Sequence, residues 1–251
     1  MHIPSVLTIA GSDPSGGAGI QVDIKTCMRH NIYSMAIPTC LTVQNTRGIR
    51  NNHVISSTIL QEQLSYLLED LLPSVIKIGA IGSKENLHVI STQLQTLQIP
   101  VVWDPVFVSS SGAYLLEPSA ITEAKAHLLP LVTLTTPNAH EFSILYDSDV
   151  AWTESSPACL RTDGDGDGSL ACDILYTSSG THRFYHPRHK RTNTHGTGCT
   201  LSTAIACNVA MGHDIPTSCH NAIAYVQRLI ESADQYNHGN GKGGLGHEYT
   251  K

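Results

Sequence analysis

The chain has 251 residues, 41% of them hydrophobic and 14% charged, which fits an ordinary globular core under a sparsely charged surface. A formal net charge of −6 argues against a nucleic-acid partner, because phosphate backbones attract an excess of Lys and Arg. No apolar run approaches the roughly 18 residues of a membrane span, and the seven cysteines show no paired spacing, so a cytoplasmic protein with reduced thiols and no membrane partner is expected.

In chain order, residues 6–10 read as a buried strand, followed by a loop, 11–19, whose glycines could bring backbone amides to a ligand. A helix follows, with Ile20, Ile24, Cys27 and Met28 on its inner face and Asn31 near its stop. Asp23 falls beside that stripe, about 60° from Ile20 and about 40° from Cys27, where a carboxylate meets either solvent or a polar ligand. Residues 35–43 read as a strand ending in Gln44-Asn45-Thr46-Arg47-Gly48, which suits a ligand's polar edge and an ordinary turn equally.

A helix at 60–68, a strand at 75–78, a helix at 84–97 and a strand at 100–104 come next. Then come a helix near 118–128, a strand at 131–135 and the stretch Thr136-Pro137-Asn138-Ala139-His140-Glu141. Asn138 and Glu141 can share one face of a helix start, so capping and metal or phosphate contact are both open for Asn138. This alternation predicts a three-layer α/β/α sandwich with a mostly parallel central sheet, one domain over 1–251. Gly11, Gln44, Gly79, Asp104 and Asn138 each follow a predicted strand and should gather on the ligand-binding rim.

Regularity fails between about 147 and 170, where 158–161 is the only strand candidate. Residues 163–168 begin like a calcium loop, but position 12 would be Ile174 in place of a bidentate glutamate, leaving an acidic mobile loop. A hairpin is expected over 172–177 and 181–186, with His182, His186 and His189 on its surface and Arg188-His189-Lys190-Arg191 as a solvated loop. The last helix is expected at 216–236. Residues 239–244 match G-x-G-x-x-G only formally, with no strand before and no helix after.

Residues 192–201 stand apart. Gly196 and Gly198 permit a tight turn, and Leu201, Ile205 and Val209 then repeat at helical spacing, so unpaired amides and a positive dipole end should face one spot. Cys199 lies in that field, and its thiol pKa should fall. The plainer reading is a glycine-rich turn opening a helix, with a small buried cysteine.

Several stretches together resemble the hydroxymethylpyrimidine and phosphomethylpyrimidine kinases of thiamine biosynthesis, which have the ribokinase-like fold. They are Leu7 through Asp13, Ser15 through Gln21 and Asp23 through Thr26, then Val43-Gln44-Asn45-Thr46, Lys77-Ile78-Gly79 and Asp104-Pro105-Val106. Thr136 through Glu141 and Asn193 through Ser202 complete the set, in the family's order, over about 1–145 and 172–245. The resemblance implies ATP-dependent phosphorylation of 4-amino-5-hydroxymethyl-2-methylpyrimidine, then of its monophosphate to the diphosphate, with Mg2+ on the nucleotide phosphates and a homodimeric enzyme.

By motif position it implies that Asp23 and Gln44 read the ring, with Gly11 and Val43 as pocket walls. Gly196, Gly198 and Cys199 would form the anion hole, and Cys199 either takes the alcohol proton or holds the site in shape. Asn138, Glu141 and Thr197 would face the nucleotide, and Asp104 and Glu141 the metal. The family's nucleotide lysine is missing; Arg161 stands nearest, with a larger planar head. Ala80 stands where a methionine often follows in the family and should widen the pocket or remove one ring-packing contact. A pyridoxal or pyridoxine kinase on the same scaffold, or a pyrimidine-binding protein with impaired turnover, are the alternatives.

Overall fold

Alternation along the strands divides the apolar residues between two faces of one sheet. In β1 (Ser5–Ser12), Val6 faces one side while Leu7 and Ile9 face the other. The computed structural model describes residues 3–109, 112, 114–146, 153, 155–164, 166, 168–189, 191–235 and 238–249. After β1 come α1 (Gly19–Arg29), β2 (Tyr33–Asn45), β3 (Gly48–Val54), α2 (Ser57–Asp70) and β4 (Val75–Ile78). Then follow α3 (Lys84–Gln95), β5 (Val101–Trp103), α4 (Pro118–Glu123), β6 (Leu134–Thr135) and α5 (Ala139–Tyr146). The chain continues through β7 (Ala158–Arg161), β8 (Leu170–Thr177), β9 (Gly180–Pro187), α6 (Thr197–Ala210) and α7 (Ile215–Ser232).

The sheet runs β3-β2-β1-β4-β5-β6-β7-β8-β9. From β2 through β7 every pairing is parallel, while β3 and the β8–β9 hairpin add antiparallel edges. Leu60, Leu64 and Leu68 of α2, with Leu87, Ile90 and Leu94 of α3, pack on Leu7, Ile9, Ile76 and Trp103. On the other face Ala204, Ile205, Ala222, Val226 and Leu229 of α6 and α7 pack on Val6, Val75, Val102 and Leu160. The result is the three-layer α/β/α sandwich expected.

Several boundaries differ from the sequence reading. The buried face of α1 is Val22, Asp23, Thr26 and Cys27, and Met28 is 68% exposed. The stripe is therefore rotated toward Asp23. β3 escaped the reading because Arg50, Asn51, Asn52 and His53 give it no apolar alternation. Residues 129–131 are helical, so β6 starts three positions later than expected. Residues 147–152 and 154 of the irregular segment, and Asp165 and Asp167 of the acidic loop, lie outside the described residues. Asp163 is held by Arg188 at 2.9 Å, which takes that arginine out of solvent. His186 is likewise no surface residue, since it is 2.9 Å from Asp173 and packed against Gln227.

Candidate active site

A cavity of about 430 Å3 opens at the carboxyl ends of the parallel strands. Gly11 lies next to the end of β1, Gln44 next to the end of β2, Asp104 just after β5, and Asn138 just before α5; all four line it. Glu141, Ala80 and the turn Gly196, Gly198 and Cys199 complete that set, so most of the rim expected from strand ends is present.

The turn before α6 owes its shape to Gly196, the residue preceding the helix, at φ +82°. A Cβ there would lie 1.8 Å from the Gly17 carbonyl oxygen, so no other residue fits. The first-turn amides of α6 have no intrahelical carbonyl ahead of them, which leaves a positive helix end at the cavity wall. Asp104 lies beside it: a Cβ on Gly198 would be 3.8 Å from Asp104 Oδ2, and Ser202 Oγ donates to the same oxygen at 3.3 Å.

Electrostatics reverse one expectation. Burial pushes the Cys199 thiol up to about 12; nearby Lys77 and the Gly19 backbone pull it down, but the Asp104 and Asp23 carboxylates add to the rise. The helix field does not overcome this, so the resting side chain is a neutral thiol. Asp104 is also raised, to about 6, by burial and by Asp23, against the pull of Lys77. Asp13 goes the other way. Burial raises it, yet hydrogen bonds from His195 and Ser15 outweigh that and hold its carboxyl below the ordinary value.

Asp23 is not on the cavity wall. Its two oxygens lie 3.0 and 2.9 Å from Lys77 Nζ and also accept from Thr8 and Thr203, and both charged side chains are fully buried. No lone pair of that carboxylate is left facing a ligand. Val43 is 45% exposed on the outer side of β2, because strand parity sends it opposite to Gln44. Arg161 places its guanidinium 5.6 Å above the Phe142 ring, off the cavity wall. Thr197 turns its hydroxyl back to the Thr194 carbonyl at 2.7 Å. Asn138 and Glu141 form a reciprocal cap, each side chain accepting from the other's backbone N–H at 2.9 Å, and both still line the cavity.

Among the wall residues not singled out from sequence, Asp13, His195 and Lys242 carry charge or ring nitrogen into the cavity. His195 Nε2 lies 2.9 Å from Asp13 Oδ2 and 2.9 Å from Gln44 Nε2, tying the loop after β1 to the end of β2. Lys242, from the tail, also lines the cavity. Asp13 and His195 sat inside motifs already quoted; Lys242 sat in the glycine-rich tail set aside as a failed fingerprint. Among the described residues, no group of three or more His, Cys, Asp or Glu could hold a metal ion. No helix among them is long and apolar enough to cross a membrane.

A cavity beyond the strand ends of a mostly parallel sheet, with a helix N-terminus and the carboxylates of Asp13, Asp104 and Glu141 on its wall, is where an α/β sandwich of this ribokinase-like fold takes a small-molecule ligand. The family model described as phosphomethylpyrimidine kinase matches residues 13–244. The hydroxymethylpyrimidine/phosphomethylpyrimidine kinase of Synechococcus elongatus is 35% identical, over 99% of each chain. Among solved structures, the phosphomethylpyrimidine kinase of Clostridium difficile superposes with a TM-score of 0.78 at 33% identity, over 91% of this chain and 100% of that one. An ADP complex of Bacillus subtilis pyridoxal kinase gives 0.82 at 26% identity, over 94% and 100%. The chain belongs to the hydroxymethylpyrimidine/phosphomethylpyrimidine kinase family of thiamine biosynthesis.

Proposed function

We propose that the cavity transfers the terminal phosphoryl of ATP first to the hydroxymethyl oxygen of 4-amino-5-hydroxymethyl-2-methylpyrimidine and then to the resulting monophosphate. The observation that carries this is that one cavity joins the Gln44 amide to the α6 N-terminus. Gln44, fixed by His195 and the Thr42 hydroxyl, suits the ring's amino and nitrogen edge, and Gly11 and Ala80 are its walls. The amides at Gly198 and Cys199 suit the charge on the moving phosphoryl. The Bacillus relative was solved as an ADP complex, which supports nucleotide binding by this fold, and Asn138 and Glu141 are the cavity-wall residues on offer for it here.

Mg2+ fits the donor set: it is a hard ion that relies on one or two carboxylates plus substrate phosphates, and Asp104 and Glu141 are wall carboxylates. Those two would hold it, and bound there it would supply neutralisation of phosphate charge. Cys199, neutral at rest, positions the acceptor hydroxyl. In a loose phosphoryl-transfer transition state the alcohol proton leaves late, so a strong base is not required beforehand.

Supporting observations extend to the setting. One sheet threads from Ser5 to Pro187, as a single domain requires. All seven cysteines are free, which fits a reducing cytoplasm. Leu41 and Val43 share the exposed outer face of β2, a surface a second copy would cover in a homodimer. The site reading is tested with Gln44→Ala, which should raise the KM for the pyrimidine by about tenfold, the scale of lost ring hydrogen bonds, with that for ATP nearly constant. An unchanged pyrimidine KM would remove Gln44 from the ring site.

A further inference from the structure

The two phosphorylations make different electrostatic demands. The first acceptor is a neutral alcohol, whereas the second is a phosphomonoester dianion brought beside the polyphosphate of ATP. On the wall of the main cavity stand three carboxylates, Asp13, Asp104 and Glu141, and among the described residues one lysine, Lys242, and no arginine. A second cavity of about 270 Å3 adjoins it, sharing Gln44, Ser109, His195 and Lys242, and adds Arg47. No described residue on this second wall is acidic, in a chain whose net charge is −6.

Lys242 is held in place from both sides. Gly241 N–H donates to Thr46 Oγ1 at 3.1 Å, and Gly243 N–H donates to Asn193 Oδ1 at 3.0 Å. The Gly243 carbonyl in turn accepts from His195 N–H at 3.1 Å. A Cβ on Gly241 would fall 2.0 Å from the Thr46 carbonyl oxygen, so the tail lies directly on the β2–β3 turn. A lysine whose backbone is fixed at both neighbours gives up less freedom on binding an anion than one on a loose tail.

We propose that Lys242 and Arg47 form a phosphate subsite where the two cavities meet, and that it selects the pyrimidine monophosphate over the unphosphorylated alcohol. The inference rests on the reading that this chain takes the monophosphate as its second acceptor. It makes the tail a specificity element: the hydroxyl-bearing substrate uses the ring pocket alone, and the monophosphate adds charge-assisted bonds at its ester phosphate.

Calorimetry on the full chain without nucleotide tests it, comparing wild type, Lys242→Met and Arg47→Met for the alcohol, the monophosphate, and the monophosphate with excess inorganic phosphate. The preference for monophosphate over alcohol should fall by about tenfold in each variant, the scale of one charge-assisted hydrogen bond. Inorganic phosphate should weaken monophosphate binding to wild type. A preference unchanged in both variants would overturn the subsite. Phosphate that binds alongside the monophosphate without competing would overturn its assignment to the ester. A wild type that binds the alcohol and not the monophosphate would overturn the underlying reading as well, and is told apart from the other two because it needs no variant.

Discussion

Lys77 Nζ sits 3.0 and 2.9 Å from the two carboxylate oxygens of Asp23, and neither side chain reaches solvent. The pair joins β4 to α1 directly beneath α6, whose Thr203 hydroxyl donates to Asp23 at 2.7 Å. Burial works against the Lys77 ammonium, but Asp23, with Asp104 nearby, more than offsets it and keeps it charged.

Removing one partner would strand the other charge in the core. Asp23→Asn or Lys77→Met should each cost about 3–5 kcal/mol, and the double variant less than the sum of the two. Urea unfolding midpoints check this. Near-wild-type stability of Asp23→Asn would return that carboxylate to the ligand side.

Gly196→Ala sets a Cβ into the Gly17 carbonyl and forces an alanine to φ +82°. A loss of about 2–4 kcal/mol is expected, from strain and displacement of the turn. Thermal unfolding against wild type reads it, and a midpoint shift under about 2 °C would mean the turn relaxes freely.

The neutral Cys199 thiol should resist iodoacetamide near pH 7 and gain reactivity only well above it, because the thiolate is the nucleophile and burial holds its pKa at about 12. Peptide mapping after timed alkylation measures that. Cys199→Ala should cut turnover about tenfold with pyrimidine affinity little changed, because the group that positions the acceptor hydroxyl is removed. Fast alkylation at pH 7 would restore the activated-thiolate role that the sequence suggested.

His247 ties the tail to α6 and α7 through Thr200 and Tyr225, and burial lowers it from 6.5 to about 4. Above pH 6.5 it is neutral whether folded or unfolded, so its docking is unopposed. Between 6.5 and 4 the unfolded chain takes up the proton that the folded chain refuses, and stability falls as the pH drops. The loss should reach about 3 kcal/mol. Denaturation at pH 7 and pH 4.5 should show a slope that His247→Gln flattens; equal slopes would show that the tail undocks without cost.

Sequence spacing revealed the ligand-binding rim because each strand end is a local signal: Gly11, Gln44, Asp104 and Asn138 all reach one cavity. What it could not supply was non-local. The stripe on α1 was rotated toward Asp23 because its partner, Lys77, lies 54 positions away. A lysine inside Val75-Ile76-Lys77-Ile78 is itself the missed signal, since a charge in a buried strand needs a counter-charge. The thiol prediction failed for the same reason: the helix field at Cys199 is local, whereas its burial, and then Asp104 and Asp23, come from the elements packed around it. Val43 was lost to strand parity, one residue from Gln44.

Incubation of the purified chain with Mg2+, ATP and 4-amino-5-hydroxymethyl-2-methylpyrimidine, followed by mass spectrometry of the products, tests the central claim most directly. The account predicts the monophosphate early and the diphosphate at completion. Phosphorylation of pyridoxal with none of the pyrimidine, or pyrimidine binding with no phosphorylated product, would contradict it.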